Sequence, residues 1–304
     1  MDSSVADAIG RIALFGGRQP DSVERLGGLT NLVYRVGLDG ADYLLRIAGE
    51  GTQDYIDRSV EAHNARVAAD AGVSAAVLFF DEADGLMLAD YIPDAATMNA
   101  ERFKDTGACR RAALAFRRMH RCGVDFRTVF DVFEKMDEYL ALLAGLKAPV
   151  PDGYEAVKRE ADTVRAALAA HPAKLAPCHC DPLAENFLDT GARMWIVDWE
   201  YSGNNDPMWD LGDLSVEAEF GPEQDAAMMQ AYFDGEPPAD QLGRMVLYKA
   251  MCDLLWTLWG VIQHANDNPA DDFWAYAVNR FERCQALMGD ADFPRHIAAV
   301  SRGG

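Results

Sequence analysis

Residues 178 to 200, CHCDPLAENFLDTGARMWIVDWE, present polar side chains at a spacing that can carry chemistry. His179, Asp181 and Asn186 form the pattern H-x-D-x-x-x-x-N in a predicted loop, and Asp198 stands at the end of the strand-like run IVDWE. Two short strands are expected around the turn DTG. The stretch therefore predicts a catalytic or binding site whose frame is a loop followed by a β-hairpin.

The cysteines beside His179 raise the question of a metal site. Cys178 and Cys180 flank this histidine, but tetrahedral zinc needs four ligands, and the chain has no second pair at a recognisable spacing. The N-terminus has no basic stretch followed by an apolar core and a cleavage site, so we expect a cytoplasmic protein with free thiols. We predict neither zinc nor disulfides for the six cysteines, which are Cys109, Cys122, Cys178, Cys180, Cys252 and Cys284.

The acids and the asparagine of this stretch suit phosphoryl transfer. That reaction needs an acceptor for the proton of the attacking hydroxyl, oxygen ligands for Mg²⁺, and positioning of charge. Asp181 can accept the proton, while Asn186 and Asp198 offer the hard oxygen atoms that Mg²⁺ takes. The alternative is that these are solvated loop acids, but the offset of the asparagine and the later aspartate favour the catalytic interpretation.

The first 93 residues predict a small antiparallel sheet with one packed helix. Residues 26–47 contain two strand-like runs joined by the turn LDGAD, which predicts a β-hairpin. Residues 55–71 are rich in alanine and long side chains and precede Gly72, which predicts a helix. Two further strands are expected in AAVLFFD and GLMLADYI. The first 20 residues receive no assignment.

Helical patterns dominate the chain after IPDAATM. The predicted helices cover 101–122, about 131–146, 153–170, 223–234 and 239–265. The run NFLDTGARMWIVDWE is the one β-like segment expected among them. The chain is therefore predicted to be α+β, with a sheet-rich first domain over residues 1–93, a mainly helical second domain over residues 94–304, and a boundary near Asp90 to Asp94.

Together these motifs resemble the protein-kinase-like fold in its small-molecule branch, which includes aminoglycoside phosphotransferases and choline/ethanolamine kinases. The resemblance covers about residues 26 to 283. It implies a two-lobed fold with a small antiparallel-sheet N-lobe and a larger, mainly helical C-lobe. It further implies that Asp181 is the catalytic base, that Asn186 and Asp198 hold the metal, that His179 is structural, and that Asp210 braces the catalytic loop through buried hydrogen bonds.

The N-terminal motifs agree with this resemblance and imply ATP as the cofactor. In GGLTN, residues 27–31, small side chains and backbone N–H groups would approach the phosphates. The adenine would lie against LADYIPD. The residues implied to bind the nucleotide here are Gly28, Thr30, Asn31, Asp90, Tyr91 and Ile92.

Arg46 stands where protein kinases place a lysine, and Glu61 on the following helix is its expected ion-pair partner. An arginine in this strand, followed by I-D-R-x-x-E, resembles choline/ethanolamine kinases. The guanidinium could grip phosphate oxygens in a bidentate way, so Arg46 and Glu61 are counted with the catalytic residues. Arg58 belongs to the same motif, but a solvated helix charge is an open alternative for it.

Two further stretches bear on the substrate. DWEYSGNNDPMWDLG resembles the choline/ethanolamine kinase pattern, in which Glu200 could contact metal or substrate. Trp256 and Trp259 share a helix face, and with Tyr276 they resemble that family's aromatic cage for a quaternary ammonium group. Core packing is the alternative for these aromatic residues. Acids that could help to hold the cation are Glu200, Glu217 and Asp253.

The chain departs from the family pattern after D-L-G, where the family often continues N-H-F and this chain has Asp213, Leu214 and Ser215. Any substrate contact made by that asparagine or histidine is therefore in doubt. The chain is also shorter than typical eukaryotic choline kinases, so their dimer contacts are not assumed, and the oligomeric state stays open.

Composition excludes several classes of partner. Forty-nine acidic against 28 basic residues give a formal net charge of −21, which disfavours nucleic acids and anionic membranes. We expect no membrane helix, because the apolar runs stop short of the length that spans a bilayer.

The predicted activity is an ATP- and Mg²⁺-dependent transfer of phosphate to a small cationic amino alcohol, with choline first and ethanolamine second. The alternatives are a kinase for an aminoglycoside or a thiamine-like alcohol, and a pseudokinase that binds nucleotide without turnover.

Overall fold

The computed structural model describes residues 3–27, 31–49 and 56–304. Its N-terminal part is a five-stranded antiparallel sheet in the order β1-β2-β3-β5-β4. The strands are β1 (Ser22–Gly27), β2 (Leu32–Leu38), β3 (Ala41–Ile47), β4 (Val77–Phe80) and β5 (Met87–Asp90). Two helices accompany this sheet, α1 (Ser3–Arg11) and α2 (Arg58–Asp70).

The predicted hairpin is the β2–β3 pair. Asp39 and Gly40 form its two-residue turn, both at positive φ (53° and 79°), which is the conformation that matches the twist of a hairpin. Val36 and Leu45 of these strands are fully buried and pack with Val5 and Ile9 of α1 in one apolar core. The unassigned N-terminus therefore supplies a helix that completes the core of the sheet.

The C-terminal part is mainly helical. Its helices are α3 (Thr106–His120), α4 (Val132–Leu146), α5 (Tyr154–Ala170), α6 (Pro207–Glu217), α7 (Pro222–Phe233), α8 (Ala239–Ala265), α9 (Phe273–Met288) and α10 (Phe293–Arg302). Its strands are β6 (Ala96–Thr97), β7 (Ala176–Cys178), β8 (Phe187–Asp189), β9 (Met194–Ile196) and β10 (Gly203–Asn205). Strands β6, β8 and β9 form one sheet, and β7 pairs with β10.

The predicted fold class, an α+β chain with an antiparallel sheet followed by a mostly helical remainder, is confirmed. The expectation of a single β-like segment in the second domain is wrong, because β6, β7 and β10 also form. These strands have two or three residues each, too few to show a period of two in the sequence. The division at residues 93 and 94 stays a prediction. It falls between β5 and β6, which belong to different sheets.

Helix boundaries follow their capping residues. Asp131 accepts hydrogen bonds from the backbone N–H groups of Phe133 and Glu134, and α4 begins at the next residue. The helix predicted over 101–122 is shorter because Asp105 caps α3 in the same way, after a 3₁₀ turn at Arg102–Lys104.

Helix α8, Ala239–Ala265, is the central helix of the C-terminal part. By length and composition alone it is apolar enough to cross a membrane, contrary to the sequence expectation, but 83% of its most apolar 18-residue window is buried inside the fold. Leu247, Leu254 and Leu258 on this helix are fully buried. It therefore serves as a core helix here.

Candidate active site

The loop that carries the H-x-D-x-x-x-x-N motif follows β7, and helix α6 holds its backbone through Asp210. Asp210 of α6 is fully buried, and its carboxylate accepts hydrogen bonds from the backbone N–H groups of His179 (2.8 Å) and Cys180 (2.9 Å). It also accepts a bond from His120 Nε2 at 3.0 Å. Cys180 has φ of 67°, an uncommon value that this bracing supports. The bracing contacts implied for Asp210 are thus present.

Hydrogen bonds align the loop with the hairpin that follows it. Asn186 Nδ2 donates to the backbone carbonyl of Asp181 at 3.1 Å, which leaves its Oδ1 as an acceptor. The backbone N–H of Val197 donates to the Asn186 carbonyl at 2.9 Å, and the buried His179 donates from Nε2 to the Val197 carbonyl at 2.9 Å. Asp198, the next residue, turns at φ of 70°. The structure therefore brings Asp181, Asn186 and Asp198 into one frame.

The acids of this frame have raised pKa values. Desolvation, and then the neighbouring charges of Glu217 and Asp198, raise the pKa of Asp181 to about 8. Desolvation, and then the charge of Glu200, raise the pKa of Asp198 to about 7, although its side chain is 38% exposed to the cleft. Crowded acids are stabilised by a cation in their midst. The hard oxygens of Asn186 and Asp198 fit a divalent cation such as Mg²⁺.

A buried network of charged residues lies next to Asp198. Arg46 Nη1 lies 2.5 Å from Glu61 Oε1, so the ion pair expected between them forms. The same nitrogen lies 3.5 Å from Glu200 Oε1 and 3.9 Å from Asp198 Oδ1, while Nη2 donates to the Gly85 carbonyl at 3.2 Å. These acids raise the pKa of Arg46 against an opposing desolvation effect. A role for Arg46 in gripping phosphate stays a prediction.

Arg58 and Glu200 belong to the same buried network. Arg58 is buried and pairs with Glu61 (2.6 Å) and Glu200 (2.7 Å), so the alternative of a solvated helix charge is wrong. Glu200, a candidate substrate contact, has its Oε1 engaged by these arginines. The sequence interval between Arg58 and Glu200 is too long for any pattern to reveal this pairing.

The described members of the predicted nucleotide-binding set lie in or near the sheet. Gly28 and Thr30 lie outside the described residues. Asn31 is buried, and its Oδ1 accepts from the Gly49 N–H at 3.1 Å. Asp90 ends β5, Tyr91 lies under the Arg35 guanidinium at 4.7 Å from the ring centroid, and Ile92 follows, half-buried. Asp90 to Ile92 thus lie where the chain passes from one part to the other.

The structure brings the predicted aromatic residues together. Ring centroids of Trp256 and Trp259 are 6.4 Å apart, and those of Trp259 and Tyr276 are 5.8 Å apart. Tyr201 joins them at 6.2 Å from Trp256, and Phe273 at 5.5 Å from Trp259. Sequence analysis missed Tyr201 and Phe273, although Tyr201 directly follows Glu200. These five side chains form the aromatic cluster.

The acids expected to assist the cation are already paired. Glu217 lies 2.6 Å from Arg280 Nη1 and receives a second bond from Nη2 at 2.7 Å. Asp253 pairs with Arg280 at 3.1 Å and with Arg283 at 3.2 Å. Arg280 also lies over the Tyr276 ring, 4.9 Å from its centroid. The charged side chains beside the aromatic cluster are therefore paired with one another.

Asp213 lies where the sequence departs from the family pattern, and its side chain is fully buried. Its Oδ1 accepts from the Cys252 thiol at 3.0 Å, and its Oδ2 has no partner among the described residues. Burial, and then Glu217 and Asp181, raise the pKa of Asp213 well above its usual range. Sequence analysis singled out this position only as a departure.

The cysteines flanking His179 have a packing role. Both are buried, Cys178 donates from Sγ to the Asn205 carbonyl, and Cys180 donates to the Cys178 and Gly203 carbonyls. Burial raises the pKa of both thiols, which disfavours the thiolate form that metals require. All six cysteines are free, as predicted.

The chain is similar to known proteins over most of its length. A family model described as choline/ethanolamine kinase matches residues 23–232. A solved choline/ethanolamine kinase family protein from Mesorhizobium loti is 55% identical, with 98% of this chain and 99% of that chain covered and a TM-score of 0.90. The solved choline kinase LicA from Streptococcus pneumoniae is 28% identical, with coverage of 94% and 99% and a TM-score of 0.77. Protein LicA of Haemophilus influenzae is 26% identical over 274 residues, covering 86% of this chain and 78% of that protein.

Proposed function

Because the chain belongs to the choline/ethanolamine kinase family and is thus a phosphotransferase acting on an alcohol, we propose that it transfers the γ-phosphate of ATP, with Mg²⁺, to a small amino alcohol. The observation that carries this proposal is the common frame of Asp181, Asn186 and Asp198, braced by Asp210 and facing the Arg46–Glu61 pair. These are the parts that phosphoryl transfer requires of a protein.

Each residue of the frame has a distinct task in the proposed reaction. The Asp181 carboxylate orients the substrate hydroxyl and accepts its proton as the oxygen attacks in line. Asn186 Oδ1 and the Asp198 carboxylate would hold Mg²⁺, which would neutralise phosphate charge. Arg46, fixed by Glu61, would orient the phosphates, and residues 90–92 would contact the adenine.

The aromatic cluster supports choline as the first substrate. A quaternary ammonium group is held by ring faces and needs no hydrogen-bond acceptor. Glu217 and Asp253, the acids that could have accepted hydrogen bonds from a primary ammonium group, are engaged by Arg280 and Arg283. Ethanolamine is therefore the second candidate, with a weaker fit to these walls.

The proposal is tested by ATP consumption with Mg²⁺ and a panel of choline, ethanolamine, thiamine and two aminoglycosides. We expect saturable turnover on choline, with a lower specificity constant for ethanolamine. Asp181→Asn should lower kcat by about 10²–10⁴-fold, the usual contribution of a general base, while ADP binding persists. Turnover only on another alcohol would refute the choline assignment, and no turnover on any of them would refute the proposed activity.

A second variant pair tests the aromatic cluster. Trp256→Ala should raise the choline KM by about twofold to thirtyfold, because a cation–π contact is worth about 0.5–2 kcal/mol. Trp274→Ala is the matched control, since the Trp274 ring contacts His264 at a tilt of 50°, outside the cluster. Equal KM values in the two variants would show that the cluster only packs the core.

A further inference from the structure

Four buried charges meet between the sheet and the segment that carries Asp198. Arg46 lies on β3, Arg58 and Glu61 lie on α2, and Glu200 lies two residues after Asp198. Their side chains are between 1% and 8% exposed. Two positive and two negative groups balance each other, which is the condition under which buried charges are tolerated.

Glu200 also holds the last residue of the GGLTN motif. Asn31 Nδ2 donates to Glu200 Oε1 at 3.1 Å, and the other end of the same amide accepts from the Gly49 N–H at 3.1 Å. One carboxylate oxygen thus receives hydrogen bonds from Asn31 and from Arg58, at 2.7 Å, with Arg46 Nη1 3.5 Å away. It connects a loop, a helix and a strand of the N-terminal part to the C-terminal part.

These contacts argue against Glu200 as the group that binds the substrate cation. If its carboxylate turned towards the aromatic cluster, Asn31 Nδ2 and one bond of Arg58 would be left buried without an acceptor. Buried donors without an acceptor destabilise the fold, and charged donors do so most. The carboxylate therefore stays where it is when the alcohol binds.

A second contact fixes α2 to the same segment. Asn64 is fully buried, and its Nδ2 donates to the carbonyl (2.9 Å) and the hydroxyl (3.0 Å) of Ser202. Glu200 and Ser202 flank Tyr201, so two successive turns of α2 are held by a stretch of three residues. The helix that carries Glu61 is in this way held in register with Asp198.

We propose that Glu200 is a positioning residue for the nucleotide: it holds Asn31 and Arg58 in register with Asp198 and does not contact the amino alcohol. The proposal rests on the proposed function, because it assumes that the nucleotide lies between the GGLTN motif and Asp198. It replaces the substrate-binding role that the sequence suggested for Glu200.

The test is direct binding of ADP to the full chain, measured by titration calorimetry with Mg²⁺ and again with EDTA. Glu200→Gln and Asn31→Ala should each weaken ADP binding by about tenfold in both buffers, since hydrogen bonds to a charged group are lost. The double variant should be weakened by less than the product of the two, because both changes remove the same contact. Glu236→Gln, at an exposed position, is the matched control.

Steady-state kinetics complete the test. The KM for the alcohol at saturating ATP should change by less than about twofold in both variants, because neither side chain touches it. A raised alcohol KM with unchanged ADP affinity would show a substrate contact, and weakening confined to the Mg²⁺ buffer would show a metal ligand. Independent effects in the double variant would also overturn the proposal. If Glu200→Gln does not fold, Asn31→Ala alone still tests the contact in both buffers.

Wild-type protein separates this proposal from the proposed function. If the wild type binds ADP and phosphorylates an amino alcohol while both variants match it, only the role of Glu200 fails. If the wild type binds no ADP in either buffer, the proposed function fails first, and the role of Glu200 falls with it.

Discussion

Asp210 illustrates at the residue scale how one buried carboxylate can position a whole loop. It accepts hydrogen bonds from two backbone N–H groups of the loop that carries Asp181 and from the Nε2–H of His120, whose Nδ1 in turn accepts from the Tyr232 hydroxyl at 2.9 Å. A buried carboxylate is stable only when such donors surround it. The rigidity of the loop that carries Asp181 therefore depends on these hydrogen bonds.

Asp210→Asn should lower the free energy of unfolding by about 2–4 kcal/mol, because the amide has one acceptor oxygen and would point a donor at another donor. Urea unfolding followed by circular dichroism measures this change. Asp267→Asn is the control, since Asp267 is exposed at φ of 52°, where asparagine is readily accommodated. Equal unfolding free energies for the two variants would contradict the bracing role.

At the element scale, the site depends on how closely α6 approaches α8. A Cβ atom added at Gly212 would lie 2.7 Å from the Met245 carbonyl oxygen and 3.1 Å from the Lys249 nitrogen, both backbone atoms of α8. The glycine of D-L-G therefore permits backbone contact between the two helices. This contact places Asp213 of α6 beside Cys252 of α8, and the same helix α6 carries Asp210.

Gly212→Ala should destabilise the protein by about 1–3 kcal/mol, because backbone cannot yield as a flexible side chain can. It should also lower kcat, since α6 carries the bracing aspartate. Gly145→Ala on α4 is the control, because a Cβ there meets nothing within 4 Å and alanine favours a helix. Thermal unfolding of both variants measures this change. An unchanged free energy of unfolding in Gly212→Ala would show that the two helices can separate without cost.

At the scale of the whole molecule, the site lies between two parts with separate apolar cores. One core contains α1 and the sheet, and the other contains the long helices. Polar contacts, such as those of Glu200 with Arg58 and of Ser202 with Asn64, connect the two parts at the site. A ligand that touches both walls should therefore stabilise the fold more than one that touches a single wall.

We expect ADP with Mg²⁺ to raise the melting temperature, by an amount corresponding to about 2.7 kcal/mol at a hundredfold excess over Kd. EDTA should remove part of this gain, because the acids at Asp198 and Asp181 would again face one another without a cation. Asp198→Asn should lose the part that depends on Mg²⁺ and keep the rest. Equal melting temperatures with Mg²⁺ and with EDTA would count against a metal held at Asn186 and Asp198.

Elements that depend on local interactions could be predicted from the sequence, and elements that depend on distant partners could not. Helices α4, α5 and α8 were predictable to within a residue or two at each end, because periodicity and capping are local. Helix α6 was missed although Asp206 and Pro207 form a recognisable start, and α9 and α10 were missed with it. The strands β6, β7 and β10 exist only through their partners, which lie far away in the sequence.

By itself, the sequence determined the fold class. It also grouped Asp181, Asn186 and Asp198, because their spacing is set by one loop and one hairpin. Only the tertiary structure decided which charges are paired and which are free to act. Arg58 and Glu200 are joined across 142 residues, and Glu217 meets Arg280 across 63. Such pairs form because the folded interior excludes water from both partners at once, and no local pattern records which distant charge will share that interior.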